Sequence, residues 1–182
     1  MMSSKPLKFL TLSVIFVLQV VGNILKQIKL PISSCFADIV SLYSFDKQLR
    51  ALLFTAIQTM EFSVRTKIIK LFALEFGVFW FKNASYTTNE ARFAANLTVV
   101  RKKVSRSHDD FITEHFRKYS GPDLPPVWKT LEVVSMGTLS KLYFNFSNAS
   151  AKHAVAREFG LNHHKLLRNW LEWFSSVRTH FY

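Results

Sequence analysis

Arg101, Lys102, Lys103 and Arg106 place four cations within six residues, and Arg178 stands near the C-terminal end of the chain. Ammonium and guanidinium groups at that density can neutralise phosphates. They are the candidate nucleic-acid patch, with Arg65 as a further candidate. The same four would suit the end of a helix, because the macrodipole favours positive charge there. Arg178 could stabilise charge growing on a reacting phosphate, and an imidazole beside it would be needed to move the proton. His180 is two residues away. His115 shares a face with Phe111 and Phe116 and reads as a core histidine. Trp128, Trp170 and Trp173 suit core packing better than base stacking. The six histidines (His108, His115, His153, His163, His164 and His180) form no His-Glu-x-x-His or His-x-His pattern, so neither a metal site nor a cofactor is expected. Cys35 is the sole cysteine, so no disulfide can close within the chain. A lone thiol fits a reducing, cytoplasmic setting.

Composition agrees with an anionic partner. The chain of 182 residues carries a net charge of +12 and a pI near 10.0, which favours nucleic acid or an acidic membrane surface. Hydrophobic residues make up 49%, and only five Gly and five Pro interrupt them. Few breakers and long periodic stretches predict an all-α fold of one domain.

Residues 1–34 stand apart as an apolar N-terminal segment. Phe9 to Val21 is nearly unbroken, with Lys5 and Lys8 before it and Lys26 and Lys29 after it. Leu7 to Leu25 is just long enough for a membrane anchor. It also resembles a signal peptide, with Ile32-Ser33-Ser34-Cys35 mimicking a lipoprotein cleavage site, though Lys26, Lys29 and Pro31 intervene. A buried helix of the domain is the third reading.

The elements that must position the cations follow. Phe36 to Phe76 is expected to be helical, with Leu49, Leu52, Leu53, Ala56, Ile57, Met60, Val64, Ile68, Leu71 and Phe72 inward. Ser44 or Asp46 could cap its main segment, and Gly77 fits the position that ends it. Glu61 and Arg65 are spaced as a helix-surface pair. Thr87-x-x-Glu90 reads as a capping box opening the helix that ends in the basic cluster. Asp109 to Tyr119 continues as helix. Residues 121–126, rich in Pro, form a loop. Val127 to Met136, with Trp128 inward, is expected to end at Gly137, and Thr138 to Phe146 follows. Ser150 would cap a helix stopped by Gly160. Asn162 would cap the last helix, whose stripe is Leu166, Trp170, Leu171, Phe174 and Val177.

Three blocks carry a family resemblance. The first is Phe36-Ala37-Asp38-Ile39-Val40, Leu42-Tyr43, Phe45-Asp46 and Leu49-Arg50, running into Met60-Glu61 and Ser63-Val64-Arg65-Thr66. The second joins Pro125-Pro126-Val127-Trp128 to Leu131-Glu132, Ser135-Met136-Gly137, Leu139-Ser140 and Leu142-Tyr143. The third is Phe159-Gly160-Leu161, Leu167, Trp170-Leu171 and Val177-Arg178. Over about residues 35–178, within a helical domain taken as 35–182, the chain resembles the Abi-like family of bacterial abortive-infection proteins, of the AbiD and AbiF type, within the HEPN superfamily. The resemblance implies a HEPN-like helical bundle and metal-independent RNA cleavage in phage defence. It also implies a homodimer, with a cognate small RNA or antitoxin as a further partner. Family members end in an Arg-x-x-x-x-His motif. Val177-Arg178 matches it, whereas Thr179-His180-Phe181-Tyr182 departs from it and position 183 is absent. Members of the family also carry a Tyr- and Arg-rich segment before the first block, where this chain has the apolar stretch Leu10 to Leu30, so both ends look altered, as a truncated or frameshifted gene would make them. An impaired or inactive nuclease with Arg178 as its remaining catalytic group is expected. A non-catalytic RNA-binding protein is the alternative.

Overall fold

The computed structural model describes residues 36–119 and 123–180, without the side chains of residue 37 and residues 177–180. The apolar stretch 7–25, read as a membrane anchor or signal, lies outside the described residues. Among the described residues no helix is long and apolar enough to cross a membrane.

Seven α-helices are described, with an isolated antiparallel bridge between Thr87 and Phe146 and no strand among the described residues. They are α1 (Phe36–Phe76), α2 (Glu90–Ser105), α3 (Asp110–Lys118), α4 (Val127–Thr130), α5 (Met136–Asn145), α6 (Ala149–Glu158) and α7 (His164–His180). The all-α expectation holds. Two short 3-10 turns, Trp80–Lys82 and Ala84–Tyr86, follow α1.

The chain divides into two compact units. In the first, the described part of α1 up to Met60 buries Leu49, Leu53, Ile57 and Met60, a three- and four-residue repeat. Leu52, expected inside, is 70% exposed. Helix α1 runs unbroken through Ser44 and Asp46, so neither caps it. Asp46 instead pairs with Arg50 one turn on.

The second unit, Glu61–Val177, holds the main core. Val64, Ile68 and Phe72 of α1 pack with Val100 and Val104, Ile112, Val127 and Leu131, Leu139 and Tyr143, Val155, and Leu167 and Leu171. Every helix of this unit contributes at least one of them. Phe72 sits at the middle of an aromatic group, with ring centroids 4.4 Å from Phe146, 4.9 Å from Trp80 and 6.1 Å from Tyr143. Gly77 ends α1 with φ of 83°, a left-handed conformation that a Cβ would strain. Glu61, expected on the surface, is buried.

Several caps differ from the sequence reading. Asn89, two residues beyond Thr87, caps α2 by accepting from Arg92 N–H at 2.8 Å. The Thr87 hydroxyl donates instead to Ala84 O, and the bridge to Phe146 holds Thr87 extended. Ser135 caps α5 by accepting from Thr138 N–H, so Gly137 lies inside that helix and stops nothing. Asn148, not Ser150, caps α6. At α7 the cap falls on His163, whose Nδ1 accepts from Lys165 N–H at 3.1 Å, one residue past Asn162. The buried stripe of α7 is Leu167, Leu171 and Phe174, with Leu166 exposed and Val177 outside the described side chains.

Asn145 locks the start of α2 to the end of α5. Its Oδ1 accepts from Thr88 Oγ1 and Asn89 N–H, each at 3.1 Å, and its Nδ2 donates to Asn89 O at 2.9 Å. The residue is 6% exposed, so truncation leaves buried partners unsatisfied. Asn145→Ala is expected to destabilise the fold by about 1–3 kcal/mol, read as a lower urea midpoint at constant slope. An unchanged midpoint would show that water replaces the amide.

Candidate functional site

Helix α2 ends in its cations because Val100 and Val104 turn inward and leave the opposite face to solvent. At about 100° per residue, Val99, Lys102, Lys103 and Arg106 fall within about 100° of one another, while Arg101 lies about 100° or more from the three other cations. The structure follows that arithmetic. Lys102, Lys103 and Arg106 line one surface hollow of about 560 Å³ together with Val99, Ser107, His108, Asp109 and Val133. Arg101 is exposed and its charge acts on Asp123 instead. Among the described residues, none of Lys102, Lys103 and Arg106 has a carboxylate within ion-pair distance. Asp109, the acid in the hollow, accepts a hydrogen bond from the Ser107 hydroxyl at 2.5 Å.

Arg65 stands apart from that cluster and supports it. Its Nη2 donates to Val134 O at 3.0 Å, and its Nη1 lies 3.7 Å from Glu132 Oε1. Arg65 therefore holds the turn 131–135, and Val133 of that turn forms one wall of the basic hollow. With its side chain only 15% exposed, this guanidinium positions a loop within the described structure.

A second hollow, of about 470 Å³, is lined by Phe79, His115, Tyr119, Asp123, Leu124, Pro126, Trp128 and Lys129. This corrects two expectations. Trp128 is 50% exposed, because the single turn of α4 sends Val127, Thr130 and Leu131 inward and leaves Trp128 on the outer side. His115 is half-buried against Tyr119, with centroids 4.9 Å apart, and belongs to the wall of this hollow. Partial burial, and secondarily the Lys129 charge, hold its pKa below the ordinary value. Lys82 pairs with Asp123 at the rim, and this hydrogen bond is the main reason the Asp123 carboxyl titrates low.

The profile of the family described as Abi-like protein matches residues 23–180. The chain belongs to the Abi-like family. Neither a curated protein nor a solved structure matches it significantly. In this Abi-like chain Arg178 lies on the last turns of α7, and its side chain is outside the described residues.

The sequence reading missed a third cluster. His153 on α6 meets His163 and His164 at the start of α7, with ring centroids 4.5–4.7 Å apart. One signal pointed to it: a glycine helix stop at Gly160 lies between the first histidine and the pair, and such a stop folds flanking helices together. Desolvation, then the charges of His153, Lys152, His163 and Lys165, push the His164 pKa down to about 4.

Proposed function

We propose that this Abi-like protein acts in abortive infection by binding single-stranded RNA, on a bundle of the HEPN type. The observation that carries the reading is the convergence of Lys102, Lys103 and Arg106 on one hollow without carboxylate partners among the described residues. Unpaired cations on a helix end bind phosphate without first breaking an ion pair. The aromatic hollow adds a second requirement of single-stranded binding. Phe79, Tyr119 and Trp128 are each more than 40% exposed, and such rings give stacking surface to unpaired bases. Helix α3 separates the two hollows by its nine residues, a rise of about 13 Å, which two or three nucleotides can span.

Cleavage is the finer part of the proposal. An RNA 2′-hydroxyl attacks the adjacent phosphorus, and the bond to the 5′-oxygen breaks. Arg178 would stabilise the added negative charge, and an imidazole would take or return the proton. Such a site would take RNA over DNA, since DNA lacks the nucleophile. HEPN motifs meet across two copies, so the active form in this reading is a homodimer.

Two assays test it. A labelled single-stranded RNA should bind at ~50 mM salt and weaken as salt rises, with a log–log slope of about −2 for three phosphates at about 0.7 each. Salt-independent binding, or none, would overturn the RNA reading. Cleavage is then compared between this chain and one extended with the family Arg-x-x-x-x-His ending. Cleavage gained by extension and lost in Arg178→Ala supports the nuclease. Binding without cleavage in both supports a non-catalytic RNA-binding protein.

A further inference from the structure

We propose that His153, His163 and His164 form a transition-metal site that pins α6 to the start of α7. Each of the three offers a ring nitrogen, and these ligand atoms lie within 4.8 Å of one another. Imidazole nitrogens around a tetrahedral zinc at about 2.0–2.1 Å sit roughly 3.4 Å apart, so the rings need to close by about 1 Å or a little more. Rotation about side-chain bonds covers that distance without moving either helix.

The backbone that brings them together is itself well defined. Helix α6 ends in a Schellman turn: Leu161 N–H donates to Ala156 O at 3.1 Å and Gly160 N–H donates to Arg157 O at 3.0 Å. Gly160 has φ of 74°, the conformation this turn requires. Leu161 is buried and seats the turn on the core. On the other side of the triad, the buried Tyr143 hydroxyl donates to Lys152 O at 3.0 Å, next to His153. Both ligand-bearing segments are thus fixed before any ion arrives, which lowers the ordering cost of binding.

The chemistry of the donors selects the ion. Three imidazoles, joined by no carboxylate or thiolate among the described residues, suit Zn²⁺, Ni²⁺, Cu²⁺ or Co²⁺ and offer little to Mg²⁺ or Ca²⁺. His164 Nδ1 is buried with no hydrogen-bond partner among the described residues, and ligation through it supplies one. His163 gives up the hydrogen bond from Lys165 N–H to its Nδ1, an exposed bond that water can replace. Lys152 and Lys165 oppose a cation here, so the site is expected to be weaker than an all-protein structural zinc centre. Three ligands leave a fourth position for water.

The test uses the full chain carrying Cys35→Ser, purified without a histidine tag and stripped of metal. Zn²⁺ titration by calorimetry should give one ion per chain, and Co²⁺ should give the visible absorption of a tetrahedral site. His153→Ala and His164→Ala should each weaken binding at least tenfold. Saturating Zn²⁺ should raise the Tm of the parent by roughly 5 °C and leave both variants unchanged. Should an alanine variant fail to fold, His153→Phe keeps the ring volume and removes the nitrogen. Sub-stoichiometric binding by the parent, or undiminished binding in the variants, would overturn the site. RNA binding measured with and without chelator is a separate readout, since the basic hollow contains none of these ligands.

Discussion

Replacing Lys102, Lys103 and Arg106 together by alanine is expected to weaken single-stranded RNA binding about 500-fold at ~50 mM salt and to flatten the salt slope by roughly 2. Each cation releases about 0.7 of a counterion per phosphate, so a single contact at that salt is worth somewhat under tenfold, and three multiply. The three share one hollow, which is why the effect is assigned to them and not to net charge alone. Arg101→Ala removes a charge from the same helix but outside that hollow, and it should change affinity no more than about threefold. Equal losses in the two variants would mean that a diffuse field, and no defined surface, attracts the RNA. The triple variant also removes favourable helix-end charges, so its Tm should fall modestly, by an amount matching about 1–2 kcal/mol.

Phe72→Ala should be the most damaging single truncation, at about 3–5 kcal/mol. Phe72 is fully buried and touches rings from three other segments: Trp80 after α1, Tyr143 on α5 and Phe146 beyond it. No one neighbour can collapse into the space, since each is held by the others; Trp80 also packs edge-on against Phe81 and Phe146. Phe62→Ala on the same helix, 62% exposed, should cost under about 0.5 kcal/mol. Urea midpoints measure both. A Phe72→Ala loss below about 1 kcal/mol would show that the aromatic group repacks. If that variant does not fold, Phe72→Leu should still lose about 1–1.5 kcal/mol.

How far the sequence could be read depends on the range of the interaction concerned. Helix α1 and its stop at Gly77 were legible because periodicity and a left-handed glycine are local properties. Caps slipped by one or two residues wherever several Ser, Thr, Asn or His competed. Thr87 lost to Asn89 because pairing with Phe146 draws it into extended backbone, and no local pattern reveals that partner. Trp128 and Leu166 were placed inside because their neighbours are core residues, but a one-turn helix and a one-position shift of stripe put both outside. The grouping of Lys102, Lys103 and Arg106 follows from helix geometry alone. Arg65 was indistinguishable in sequence from a surface cation, since its partner carbonyl lies 69 residues away. The histidine triad needed the path of the chain through Gly160.

The cations at the end of α2 have one more consequence, and it concerns evolution. Positive charge there steadies the helix whether or not phosphate is bound. Selection for a sturdy fold and selection for an anionic partner therefore act in the same direction on Lys102 and Lys103. Many binding sites trade robustness for activity. This surface escapes that conflict, so its charges can persist through drift even in a descendant that no longer binds an anion.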